Sequence, residues 1–465
     1  MSLQENISNK LIMTEGKNLL HEKLSEFNRS FKFDQRLFAS AVRVNFVYCD
    51  ALFHAGILTR IEAERVKSGL QTILKRADYD KNYFLEAATD VHSFIEARLV
   101  GLIGEAGEKI NVGRSRHDQS ATAIRLWLRG EIEEISGSTR DLQTVLIGAG
   151  ERQKEAILPA YANSGKSQPI LWAHWCLAYF EMFARDCERL EEVWRRVNVL
   201  PLGAANAAGT AFEIDREDVA RALRFEGVSA NSLDAAADTD YAIETVAAGA
   251  LLMIHLSRLG EDLIRYTSNE IGFLELIDAS ANFSASETIS EAMELVRGRS
   301  AIVFGHQAAL LSLANLSLGS HKDAQEIYEE IFGTIDTLKS SLQIVTLVLK
   351  NTRVNVQKTL DSVIGDYYVR AELIDYLTQK NVSLKTARVS ADKIVSYAAV
   401  RGRKTVELNL DELRNFSENI GADVFDYLSL EQILASKNQI GGTAPERVYE
   451  ALEQAKETLE RDTGK

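Results

Sequence analysis

Residues 322–350 read KDAQEIYEEIFGTIDTLKSSLQIVTLVLK, and the spacing of their apolar side chains decides the fold. Ile327, Ile331, Ile335, Leu338, Leu342, Val345 and Leu349 follow one another in steps of four and three. Only an α-helix returns such positions to one face, and a stripe this narrow is the seam of a helix lying along another helix. Stripes of the same kind run through 119–157, 170–197 and 232–269. At 1.5 Å per residue these segments are roughly 40–60 Å long.

Proline usage permits such lengths. The chain has four prolines, Pro159, Pro169, Pro201 and Pro445, and none lies between the last two. An interior proline costs a helix roughly 3 kcal/mol, so their scarcity over this stretch allows uninterrupted helices. Strand signals are sparse. The Gly- and Ala-rich run LPLGAANAAGTAFEI (200–214) reads as a loop or small hairpin between helices. The expected class is all-α, with an N-terminal helical domain over 1–110, a long-helix bundle over 111–360 and a C-terminal helical domain over 361–465. Long striped helices need cover on several sides, which points to a bundle shared between copies of the chain.

Bulk properties bound the function. The 465 residues carry 53 Lys+Arg against 67 Asp+Glu, a formal charge of -14, so no global basic surface exists for nucleic acid or anionic lipid. The opening MSLQENISNK has no charged-then-apolar leader pattern, and no run of 18 apolar residues occurs. Cys49, Cys176 and Cys187 lack ligand or disulfide spacing and read as buried small hydrophobes. A reducing cytoplasmic setting is the expectation.

Several short segments carry chemistry. GRSRHDQ (113–119) opens a long amphipathic helix with two arginines, hydroxyl, imidazole, carboxylate and amide in one loop-to-helix entry, a set suited to a small dicarboxylate. Of Arg114 and Arg116, one is expected to meet ligand and the other a structural carboxylate; Asp118 is also a natural helix cap. DVHSFIEARL (90–99) places His92 four residues before Glu96, on one helix face. Two ligands without a third make a poor metal site, and a histidine paired with a carboxylate is the expectation. HKDAQE (321–326) offers Lys322 either as a carboxylate anchor or as a solvated end charge. His174, between Trp172 and Trp175, reads as a core histidine. SANFSASETIS (280–290) is a polar, serine-rich loop between helical segments, suited to a lid.

With those residues in hand, the chain resembles the argininosuccinate lyase family of the fumarase/aspartase superfamily, almost end to end. The resemblance is carried by FNRSFKFDQRL, DVHSFIE, GRSRHDQ, AHWCLAYFEMFARD, PLGAANAAGTAFEIDR, NSLDAAADTDY and HKDAQE. It implies three helical domains, a homotetramer around a central bundle, and active sites composed from different subunits, so that the motifs meet only on assembly. The implied reaction is reversible elimination of an amine from a substituted succinate, with release of fumarate and no cofactor or metal. Ser30, Asp34, Asp90, Ser115, Arg116, Lys322 and Gln325 match positions the family uses around its substrate.

Other positions depart from the pattern. The family's Thr-His pair is Ala162 and Asn163, its asparagine within GRSRNDQ is His117, an expected arginine is Thr239, and a lysine is Tyr328. The family's Gly-Ser-Ser loop, with its Met-Pro and lysine, is replaced by SANFSASETISE. The implied site therefore has Arg116 and Lys322 holding carboxylate, Asn163 lining the pocket, His117 as proton carrier, and Ser284 or Ser286 as base. The alternative left open is a catalytically inactive scaffold kept for binding, regulation or structure.

Overall fold

The computed structural model describes residues 19–20, 22–85, 88–162, 165–277, 285–315, 317–319 and 321–463. Its α-helices of six or more residues, in chain order, are α1 (Phe38–His54), α2 (Arg60–Tyr79), α3 (Val91–Ile103), α4 (Arg116–Arg152), α5 (Trp172–Val197), α6 (Arg216–Leu223), α7 (Ser232–Ala237) and α8 (Asp240–Thr267). They continue with α9 (Ala285–Leu313), α10 (Ile327–Lys350), α11 (Val356–Val363), α12 (Val369–Gln379), α13 (Leu384–Val400), α14 (Leu430–Ser436) and α15 (Pro445–Thr463). The all-α expectation holds. All seven seam residues of α10 are buried, from Ile327 at 4% exposed to Leu349 at 0%. Cys49, Cys176 and Cys187 are buried and form no disulfide among the described residues.

The chain divides into two compact units, one of residues 1–136, 188–250 and 302–337, the other of residues 137–187, 251–301 and 338–465. The first unit holds the segments FNRSFKFDQRL, DVHSFIE, GRSRHDQ and HKDAQE. Its α1, α2 and α3 pack together, and Phe31, Phe38, Tyr83, Phe84 and Phe94 form a cluster in which Phe31 stacks on Phe94 at 4.9 Å between centroids. Thr59 and Glu62 close a reciprocal capping box at the start of α2. Trp127 of α4 meets Phe332 of α10 edge-on at 4.9 Å, and the Arg36 guanidinium lies over both rings.

The second unit contains a core of Val369, Leu373, Leu377, Ala391, Ile394, Leu413 and their neighbours, and another in which Leu171, Leu177 and Phe180 meet Leu434, Val448 and Leu452. His174 is half-buried, and burial lowers its pKa. Within α8, one 18-residue window is long and apolar enough to cross a bilayer, with mean hydropathy 1.4, and half of it is buried in the fold.

Among the described residues, three small sheets qualify the all-helical reading. β1 (Ile157–Ala162) and β2 (Gly165–Leu171) form an antiparallel hairpin that packs on α11. Its signal is hidden by Pro159 and Pro169, which sit opposite each other, with a register irregularity between Pro159 and Tyr161. The Gly/Ala-rich run makes no hairpin. Its first residue, Leu200, ends β3 (Val199–Leu200), which pairs in parallel with β4 (Gly227–Val228). β5 (Leu274–Leu276) pairs antiparallel with β6 (Thr352–Val354).

Candidate active site

The site is built on the entry to α4. Gly113 has φ +79°, and a Cβ there would lie 3.1 Å from the Tyr48 hydroxyl and 3.2 Å from Thr210 Oγ1. Only glycine combines that backbone angle with so close an approach. Arg114 then turns inward: Nη2 donates to Asn45 Oδ1 at 2.6 Å, and the guanidinium lies 4.7 Å from the Tyr48 ring centroid. Burial pulls its pKa down to about 10. The expected structural carboxylate is thus replaced by an amide oxygen and an aromatic face, with Asp118 acting only through space.

Ser115 and Asp118 cap α4 reciprocally. Asp118 Oδ1 accepts the Ser115 N–H at 2.9 Å, and Ser115 Oγ accepts the Asp118 N–H at 3.2 Å. Asp118 Oδ2 also accepts the N–H groups of Gly203 and Ala205, and the Ser115 hydroxyl donates to the Ala205 carbonyl. These contacts fasten the loop at 203–205 to the helix start. Burial raises the Asp118 pKa against the lowering effect of these N–H donors. Ser115 therefore braces the site through its hydroxyl.

Two carboxylates sit at the start of α3, where free N–H groups and the helix dipole favour negative charge. Asp90 caps the helix, accepting the Ser93 N–H at 2.7 Å. Asp34 accepts the Val91 N–H at 3.0 Å and the Ser30 hydroxyl at 2.7 Å. Their ionisation diverges. Burial pushes Asp34 up to about 6, with the Asp90 charge adding to the rise. Burial also opposes ionisation of Asp90, but the Arg116 guanidinium and the Ser93 N–H outweigh it and hold Asp90 below its ordinary value.

Arg116 spans this corner. It donates to Glu96 at 3.1 Å, Gln119 at 3.2 Å and Ser93 Oγ at 3.5 Å, and lies 3.8 Å from Asp90. Glu96 is thereby taken by Arg116 and does not pair with His92, contrary to the sequence expectation. His92 is buried with Nε2 unpartnered. Burial, with the nearby Arg116 charge, depresses its pKa to about 3.

Ser30, Asp34, Asp90, Arg116 and His117 line an open cleft of about 740 Å³, closed on its other side by Lys322, Gln325 and Tyr328. Lys322 begins a short 3-10 turn, Lys322–Glu326, ahead of α10. Its ammonium makes no hydrogen bond or ion pair within the described residues, while Gln325 donates to Glu326 at 3.1 Å. Burial lowers the His117 pKa, with the His321 charge adding to the fall and the nearby Ala236 backbone opposing it. A second, narrow chamber adjoins the cleft across His117 and Tyr328 and reaches Thr239 and Tyr241. The four motif segments meet within one chain, which corrects the expectation that they meet only on assembly. Each lies at a helix entry of the first unit.

Ser120 and Tyr328 also belong to the cleft and were not picked out as site residues. Ser120 falls four residues after Arg116 on α4, the spacing that shares a helix face, and this could have found it. Burial raises the Tyr328 pKa strongly, and the neighbouring Ser120 side chain opposes the rise. Asn163 and Ser284 lie outside the described residues. Ser286 is in the first turn of α9, so helix begins at Ala285 where a polar loop was expected through 290. Ile289, Met293 and Val296 bury the inner face of that helix.

A family profile described as Lyase matches residues 21–286, and one described as Argininosuccinate lyase C-terminal matches 370–435. The chain is 40% identical to an argininosuccinate lyase of Geobacter sulfurreducens over 93% of its own length and 95% of the relative's. A relative of the same name from Desulforudis audaxviator is 39% identical, covering 94% and 96%. Among solved structures, an EDDS lyase in complex with formate superposes with a TM-score of 0.82 at 22% identity, over 94% of this chain and 89% of that one. The 3-carboxy-cis,cis-muconate lactonizing enzyme of Pseudomonas putida gives 0.71 at 14%, covering 91% and 95%.

Proposed function

The chain belongs to the argininosuccinate lyase family, and from that premise we propose that its cleft eliminates an amine from an N-substituted succinate, releasing fumarate, or runs the reverse addition. The observation that carries this reading is the Lys322 ammonium, which makes no hydrogen bond or ion pair among the described residues and is set in one cleft with Arg116 and the half-buried His117. A dicarboxylate needs such a cation to replace the water it loses, and charge-assisted donors are the strong ones.

The chemistry requires a base for the proton beside one carboxylate, donors for the charge that builds on that carboxylate, and a proton source for the departing nitrogen. Lys322 and Arg116 serve as donors in this reading, assisted by Ser30 and Gln325. Because the His117 pKa is lowered, its imidazole is neutral near pH 7. A neutral imidazole keeps one ring nitrogen as an acceptor that carries protons. Ser284 or Ser286 acts as base and Asn163 lines the pocket, supplied by neighbouring copies in a tetramer. Exposed apolar side chains on the long helices support such an assembly: Leu251 and Ile254 of α8, Leu295 and Phe304 of α9, and Leu347 of α10.

The test is fumarate absorbance on incubating the purified protein with argininosuccinate and a panel of N-succinyl amines, in both directions. Turnover of at least one compound, reduced in Lys322→Gln, is the expected result. No turnover across the panel overturns the reading.

A further inference from the structure

A second cationic cleft lies in the same unit, away from the site described above. It is an open hollow of about 940 Å³ whose wall includes Ser40 and Arg43 of α1, Arg129 and Glu133 of α4, Trp194 of α5, and Arg224 just past α6. Arg129 is three turns further along α4 than His117, roughly 18 Å away at 1.5 Å per residue. None of these side chains lines the active-site cleft.

Three guanidiniums converge there against one carboxylate. Arg129 is buried, and its charge is braced by neutral groups: it donates to Asn198 Oδ1, to the Arg224 carbonyl at 2.6 Å and to the Leu223 carbonyl at 3.0 Å, and it lies 4.4 Å from the Phe225 ring centroid. It thereby caps the C-terminal end of α6, where carbonyls are otherwise without donors. Arg43 and Arg224 are exposed, and neither guanidinium makes a hydrogen bond or ion pair within the described residues. Arg224 holds φ +59°, a left-handed angle at which glycine is the usual residue. The single acid, Glu133, has one oxygen occupied by the Trp194 indole N–H at 3.0 Å. Burial lowers the Arg129 pKa, and the Arg43 and Arg224 charges lower it further, so the cations repel one another, with Glu133 offsetting them only in part.

We infer that this hollow binds a small polyanion bearing phosphate groups, gripped at the rim by Arg43 and Arg224 above the fixed charge of Arg129. Guanidinium and phosphate match as paired forks, two N–H groups to two oxygens. The Ser40 hydroxyl adds a neutral donor, and the Trp194 ring forms an apolar wall beside the bound group. A ligand with two or more negative charges relieves the repulsion among the three arginines, which a singly charged one does less well.

Calorimetric titration of the full chain with inorganic pyrophosphate tests this. One saturable site per chain is expected, weakening as salt is raised. Affinity falls about three- to tenfold in Arg43→Gln or Arg224→Gln alone and further in the pair, because each variant loses one charge-assisted contact at a solvent-facing position. Lys322→Gln, which alters the active-site cleft, leaves the affinity unchanged. The single variants keep the test open should the double variant fold poorly. Absence of saturable binding overturns the inference. So does binding that survives in both arginine variants, or binding that is lost in Lys322→Gln.

Discussion

Asp34 receives the Ser30 hydroxyl at 2.7 Å on one oxygen and the Val91 N–H at 3.0 Å on the other, with its carboxyl group buried. That burial lifts its pKa from 3.8 to about 6. The unfolded chain therefore gives up this proton first, and stability declines as pH rises from about 4 to 6. The shift corresponds to a loss on the order of 2–3 kcal/mol. Asp34→Asn preserves an acceptor for Val91 and offers Ser30 a donor instead. The variant should melt higher than the parent at pH 8 and lose that advantage at pH 4. Thermal unfolding at both pH values measures it; an unchanged pH slope would refute the assignment.

Asp118→Ala leaves the Ser115, Gly203 and Ala205 N–H groups without their acceptor. Loss of a buried charged acceptor with several donors costs about 3–5 kcal/mol. A large fall in melting temperature should accompany loss of activity, because α4 no longer presents Arg116 and His117. Asp118→Asn, which keeps one acceptor oxygen, should fall between the variant and the parent.

The two cleft groups should separate kinetically. Lys322→Gln should raise KM about 10- to 100-fold by removing a charge-assisted contact to carboxylate. His117→Asn should lower kcat about 10²- to 10⁴-fold with a smaller change in KM, the loss expected of a proton carrier. Since the His117 pKa is depressed by burial, the parent's acid limb should fall below pH 6.5. Steady-state kinetics across pH 5–9 decide this, and equal effects on both parameters would contradict the division of roles.

At Gly333 an added Cβ would lie 2.6 Å from His306 Cε1, and that ring is held at 2.9 Å to Thr334 Oγ1. Gly333→Ala should therefore destabilise the first unit by about 1–3 kcal/mol, as overpacking does. A denaturant midpoint unchanged from the parent would show that the imidazole can yield.

The long helices were legible because their signal is repeated. Seven seam positions on α10 agree with one another, and proline's absence removes the objection to length. The cleft was legible as separate motifs, since Arg116, Lys322 and Asp34 carry chemistry in their residue type. What one sequence cannot express is pairing across it. Glu96 prefers Arg116 to His92, and Arg114 is satisfied by Asn45, because both choices depend on how α3 and α1 pack beside the entry to α4. The β1–β2 hairpin was hidden for a local reason: prolines suppress the very pattern by which strands are recognised. The serine-rich run misled in the opposite sense, its polar composition masking the helix that starts at Ala285.

Pro159 and Pro169 stand opposite one another in that hairpin, and neither can donate a backbone hydrogen bond. A growing stack of strands needs an unbroken row of donors along the edge it extends, and here the row is interrupted at the same level on both strands. The hairpin is thereby a poor template for cross-β growth or for strand exchange between neighbouring molecules. Replacing either proline would be expected to show first as a shorter lag before turbidity in concentrated, warmed solutions.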